Sequence, residues 1–110
     1  DAGRLFENAV LLELRRRNAL NEEINYWRNK EGIEVDFIVR KGTEIREAIQ
    51  VAYSLDSKKT RDREIRGLVE CSKSLGIKRG WIITSADEGT ETVEGIHITF
   101  IPLWKWLLKL

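Results

Sequence analysis

The chain has 110 residues with 19 Lys and Arg against 18 Asp and Glu, and its net charge of +1 neither demands nor excludes a polyanionic partner. One domain is expected, burying roughly 60–65% of the unfolded surface on folding. A single cysteine (Cys71) and a single histidine (His97) exclude an intrachain disulfide and a zinc-ligand cluster.

Taken in order, Leu5 to about Arg17 is a run of good helix formers ending in Arg15-Arg16-Arg17, which suits the negative end of a helix dipole. Ile24 to Arg28 reads as a first strand, Asn29-Lys30-Glu31-Gly32 as a turn, and Gly32 to Val39 as a second strand. A period of two puts Ile33, Val35, Phe37 and Val39 on one face, and Glu34, Asp36 and Ile38 on the other. Lys41-Gly42-Thr43 is a hairpin turn into a third strand, Ala48 to Tyr53, where Gln50 lies opposite Ile49, Val51 and Tyr53. From Thr60 to Leu75 the apolar spacing predicts an amphipathic helix with Thr60 as N-cap and Gly76 as its stop. Trp81-Ile82-Ile83-Thr84 reads as a strand covered on both faces. Ile96, Ile98 and Phe100 alternate with His97 and Thr99 in a last strand, before Pro102 opens a short helix. The expected order is helix, three strands, helix, two strands, helix, in one compact α/β unit.

Asp36 is a carboxylate inside a strand of otherwise buried character, and Gln50 is an oxygen donor in the middle of the next strand. With Glu7, which helical spacing places within about 60° of Val10, Leu11 and Leu14, they form an oxygen-ligand set of the kind Mg²⁺ takes; the alternative is that Asp36 is a strand-end hydrogen-bonding group and Gln50 satisfies a polar neighbour on the sheet. An apolar sector needs a reason to hold a carboxylate: a metal, a cation such as Arg28, or protonation. Lys58, Lys59, Arg61, Arg63 and Arg66 gather at the start of the Thr60 helix, where backbone N–H groups favour an anion, and form a candidate DNA-phosphate patch or a solvated helix start. Glu34 and His97 read as surface groups, and Cys71 as a small core side chain. Trp104, Trp106, Leu107, Leu108 and Leu110 cannot all hide on one narrow stripe, so some should meet a neighbouring domain or another copy of the chain.

Gly3-Arg4-Leu5-Phe6-Glu7-Asn8, Tyr26-Trp27-Arg28, Glu34-Val35-Asp36-Phe37-Ile38-Val39, Ile49-Gln50-Val51, Thr60-Arg61-Asp62-Arg63-Glu64 and Ile101-Pro102-Leu103-Trp104-Lys105-Trp106-Leu107-Leu108 resemble, in order and spacing, the PD-(D/E)XK nuclease fold. More narrowly they resemble the nuclease-like C-terminal domain of archaeal AAA-type P-loop ATPases, relatives of Holliday-junction-resolvase-like nucleases. The resemblance implies a restriction-endonuclease-like domain with an αβββαβ core and a mixed central sheet flanked by helices, plus a last strand and a short C-terminal helix. It implies one domain over residues 1–110, cut from a longer ATPase chain, an expectation that the start at Asp1 and the lack of methionine share. Asp36 matches the family's metal-binding aspartate, Gln50 its following acidic residue, and Ala52 its lysine, so two of three positions depart. The implied metal ligands are Asp36, Gln50, the Val51 carbonyl and Glu7, for Mg²⁺ or Mn²⁺ held weakly or not at all. A positive charge for catalysis would have to come from Lys58, Lys59, Arg61 or Arg63.

Three functions follow as expectations. They are a degenerate metal-dependent DNA endonuclease, a catalytically silent nuclease-fold module binding DNA for an attached or partner ATPase, and a protein-interaction or dimerisation module. With no apolar run near the ~18 residues of a membrane span and no signal peptide, a reducing cytosol is the expected compartment.

Overall fold

The computed structural model describes residues 1–18 and 21–109; Leu110, one of the apolar C-terminal residues, lies outside them. Asp1 caps the first helix, α1 (Ala2–Arg17), by accepting from the Arg4 N–H at 3.0 Å, and the basic triplet fills its last turn. Three antiparallel strands follow, β1 (Glu22–Arg28), β2 (Glu34–Lys41) and β3 (Glu44–Val51). Gly42, at φ 62°, turns β2 into β3 in the left-handed conformation that glycine adopts without cost. The α2 helix (Lys58–Leu75) carries the chain back to β4 (Arg79–Thr84), which runs parallel to β3. The remaining elements are β5 (Gly89–Val93), β6 (Ile96–Pro102) and α3 (Leu103–Leu107), and the six-stranded mixed sheet has the order β1-β2-β3-β4-β6-β5. The αβββαβ core is therefore present.

Both faces of the sheet are covered. Leu68, Val69 and Cys71 of α2 pack with Ile38, Ala48, Ile82 and Ile98 on one face. Val10 and Leu14 of α1 and Trp106 of α3 pack with Phe37, Val39, Ile49 and Ile83 on the other. Arg17 ties these last two helices together, its guanidinium 4.3 Å from the centre of the Trp106 ring and donating to the Trp106 carbonyl at 2.6 Å. Trp106 is buried, whereas Trp104, Leu107 and Leu108 are exposed.

Four sequence expectations need correction. The strand β5 is additional, and its exposed, polar Gly-Thr-Glu-Thr-Val offers no apolar alternation to betray it. The cap of α2 is Ser57, whose hydroxyl accepts from the Thr60 N–H, so the helix begins two residues before Thr60. The third strand spans Glu44–Val51, leaving Ala52 and Tyr53 beyond its end. The strict alternation in β2 also fails. Asn25 pairs with Ile38 and Trp27 with Val35, so two steps on β1 meet three on β2, a β-bulge at Asp36-Phe37. Val35 consequently joins the α2-side cluster with Ile38, while Phe37 and Val39 join the opposite one.

Candidate functional site

The backbone pairing of β2 with β3 ends at Phe37 and Ile49. Beyond it β2 stays with β1, through Val35–Trp27 and Glu34–Arg28, while β3 stays with β4, through Gln50–Ile82 and Val51–Ile83. The sheet forks, and buried backbone groups in a fork need partners. Two side chains supply them. Gln50 Oε1 accepts from the Asp36 N–H at 3.0 Å and Asp36 Oδ2 accepts from the Val51 N–H at 2.8 Å. Gln50 Nε2 donates to the Glu34 carbonyl at 2.9 Å and to the Glu64 carbonyl at 3.2 Å, tying α2 to the fork. Only 1% of Gln50 is exposed. Gly67 permits this approach, since a Cβ there would sit 2.4 Å from both Gln50 Nε2 and the Glu34 carbonyl oxygen.

A cleft of about 580 Å³ opens at the fork, lined by Glu7 from α1, Glu34, Asp36, Gln50 and Val51 from the strands, and Asp62, Arg63, Glu64 and Arg66 from α2. Burial, followed by the charges of Glu7 and Glu34, raises the Asp36 carboxyl to about 6, although the Val51 N–H and Arg63 pull the other way. Burial and then the Asp36 charge raise Glu64 to about 7, with Arg63 opposing. Each of these carboxylates disfavours ionisation of the other. Glu64 is a cleft residue that in sequence reads as a charge partly neutralising the basic series. Its signal is helical spacing, because it lies three residues before Gly67 and four before Leu68, both buried.

Glu7, Asp36, Gln50 and Val51 all border the one cleft. The basic series divides. Arg63 and Arg66 line the cleft, and helical geometry sets Lys59 within about 60° of both. Lys58 pairs with Asp62 at 2.6 Å. Arg61 turns to another side, pairing with Glu91 of β5 and lying 5.2 Å from the centre of the Phe100 ring. Ala52, at the lysine position of the resemblance, is buried against the α2-side core and donates its N–H to the Ile83 carbonyl. Arg63 is the cation that reaches Asp36 electrostatically. Glu34 is exposed with Arg28 at 3.9 Å, His97 is exposed, and Cys71 is fully buried, its thiol pushed up to about 12 by burial.

As a divalent-cation site this donor set fits poorly. Gln50 is sealed and its amide oxygen already accepts, and one Asp36 oxygen is engaged by Val51. Among the described residues no three or more Asp, Glu, His or Cys side chains are grouped to hold a metal.

A family model described as a domain of unknown function, DUF4143, matches residues 2–106, and the chain belongs to that family. The chain is 38% identical over 112 residues to the uncharacterized protein MJ1544 of Methanocaldococcus jannaschii, a match that covers 96% of this chain and 25% of that protein. It thus spans about a quarter of the relative's length. Its fold resembles a chain of a solved half-complex from a tetradecameric assembly of Thermococcus gammatolerans McrB AAA+ hexamers with bound McrC. There the TM-score is 0.64 at 19% identity, over 93% of this chain and 28% of the other.

Proposed function

We propose that this domain is a catalytically silent nuclease-fold module that holds DNA phosphates for an AAA-type ATPase with which it works. The observation that carries the reading is Gln50. At the position where the resemblance expects a second acidic ligand, the amide is a buried strut joining β2, β3 and α2. Ala52, where a lysine is expected, faces core. The fork is present while Gln50 and Ala52 serve the structure, which favours a silent module over one that holds Mg²⁺ or Mn²⁺. The likeness to a chain of an AAA+ assembly supports the partnership.

Lys59, Arg63 and Arg66 supply the phosphate contacts, as a basic stripe on α2 beside the cleft. Among the described residues Arg66 pairs with Glu70 at 3.8 Å on the surface, and exposed pairs of that kind are weak enough for a phosphate to displace. The cleft carboxylates oppose a phosphate when ionised. Their raised proton affinities set the direction of the pH effect, because protonation of Glu64 and then Asp36 removes negative charge beside the stripe. DNA affinity is expected to rise as pH falls from 8 to 6.

Fluorescence anisotropy at low salt, with duplex, branched and gapped DNA, tests the reading. Arg63→Ala and Arg66→Ala should weaken binding about equally for all sequences and reduce the salt slope by about one unit per lost contact. Arg61→Ala, on the Glu91 side, should leave both unchanged. No binding of any DNA form below roughly 100 μM, the range of non-specific binders, defeats the DNA reading. Mn²⁺-dependent cleavage abolished by Asp36→Asn defeats the silent one.

A further inference from the structure

The two sides of this sandwich present opposite surfaces to solvent. On α2 the outward residues are charged, among them Lys59, Asp62, Arg63, Arg66 and Lys73. On the α1/α3 side four large apolar side chains stand among charged ones. Leu5 and Leu12 are 67% and 65% exposed, on the opposite side of α1 from the buried Val10 and Leu14. Trp104 and Leu108 are 62% and 74% exposed, on the opposite side of α3 from the buried Trp106. Both helices lie on one face of the sheet and are linked through Arg17, so their outer sides form a single layer. Four large apolar side chains directed outward on one layer exceed the scattered exposure normal for a surface.

On the outer side of that layer the charges not engaged elsewhere are positive. Arg4 and Arg15 are exposed on the outer side of α1 with no ion pair among the described residues, and Lys109 follows α3, 5.6 Å from the centre of the Trp81 ring. The carboxylates of α1 are committed elsewhere. Asp1 caps the helix, Glu7 borders the cleft, and Glu13 is held by Arg16 and Arg17, which together keep its carboxyl down at about 2. The helix α3 contains no carboxylate, and Glu88 beside it is paired with Lys105. Two copies of this face would bring like charges together, which disfavours self-association.

We infer that the outer face of α1 and α3 is a docking surface for an apolar patch rimmed by Asp and Glu on the ATPase. This rests on the ATPase partnership proposed above and adds the surface and the chemistry of what it meets. Trp104 is the anchor, as a large exposed aromatic tends to be at an interface. The occupant has room to be part of a longer polypeptide or a separate chain, since this sequence corresponds to only a quarter of its relative's length.

The test uses the protein as encoded, reconstituted with its ATPase, with a photo-crosslinking residue placed at position 12 or 104. The expected result is adducts on an acidic-rimmed apolar patch of the ATPase. Leu12→Ser with Trp104→Ala should weaken the complex at least tenfold, raising salt should weaken it further, and DNA binding through α2 should be unaffected. An intact complex insensitive to these substitutions overturns the surface and leaves the partnership standing; absence of any complex overturns both. Adducts joining this face to itself, or binding to vesicles containing anionic phosphatidylglycerol abolished by the same substitutions, would assign it to a second copy or to a lipid surface and overturn the inference.

Discussion

At position 50 an amide and a carboxylate are close in shape and opposite in use. Gln50 donates to two carbonyls and accepts from one N–H, a combination that a carboxylate cannot reproduce, because it has no donor. Gln50→Glu, the change that would restore the acidic position of the nuclease pattern, is expected to destabilise the fold by roughly 3 kcal/mol at neutral pH. Denaturant unfolding at pH 5 and pH 8 checks it, with the deficit larger at pH 8, where the new carboxyl is forced to ionise beside Asp36. The native protein should show a related profile. Asp36 and Glu64 are raised from 3.8 and 4.5 to about 6 and about 7, so the stability linked to them is complete below their unfolded values and is lost as pH rises toward 7. Glu13, lowered to about 2, acts in the opposite sense, its contribution lost as pH falls from 4.5 toward 2. Maximal stability is therefore expected near pH 4, and Asp36→Asn should flatten the limb that falls from there toward neutral pH; an unchanged limb would show that the Asp36 carboxyl is not strained. Residue identity made Asp36 and Gln50 conspicuous in the sequence. It could not show that their polar atoms are spent on each other's strands, because that depends on where two ladders part.

At the scale of elements, the fork depends on α2 riding close over the ends of β2 and β3, and Gly67 sets that distance. In an exposed helix interior Gly→Ala gains about 1 kcal/mol. Here the methyl would meet Gln50 Nε2 and the Glu34 carbonyl oxygen at 2.4 Å, and neither the strut nor the strand backbone can withdraw cheaply. Gly67→Ala should cost roughly 1–3 kcal/mol net, measurable as a lower denaturation midpoint. A rise in stability would mean that α2 sits farther from the fork than described. The elements themselves were largely legible, since helices with a 3.6 period and strands with branched apolar runs announce themselves. What stayed hidden has specific causes. The bulge at Asp36-Phe37 leaves each residue type as it was and only shifts the pairing, and β5 is a polar edge strand whose existence is settled by β6 beside it. Glu64 was legible by spacing alone, yet in sequence it reads as one more charge neutralising the basic series. The division of that series between the cleft and the Glu91 side could have been drawn from helical angles, since Arg61 lies about 160–200° from Arg63 and Lys59 around α2.

For the whole molecule, the sheet order predicts where stability concentrates. The strand β4 has β3 on one side and β6 on the other, and both of its faces lie under helices, with Ile82 in the α2-side cluster and Ile83 in the α1/α3-side cluster, each fully buried. Opening it requires both cores to separate, so its amides should exchange only through global unfolding. At the edge, β5 pairs with β6 alone and is largely exposed, so local fraying should release its amides many orders of magnitude faster. The fork introduces one exception within the core, because the Val51 N–H is held by a side chain, Asp36 Oδ2, where a strand interior would use backbone. In native-state hydrogen exchange the Ile82 and Ile83 amides should be the slowest, those of β5 the fastest, and Val51 should match its neighbours only while Asp36 is intact. Asp36→Ala should release the Val51 amide selectively, with Ile82 and Ile83 changing only by the shift in global stability. Equal loss of protection at all three would mean that the fork unfolds with the rest of the sheet and has no local freedom of its own.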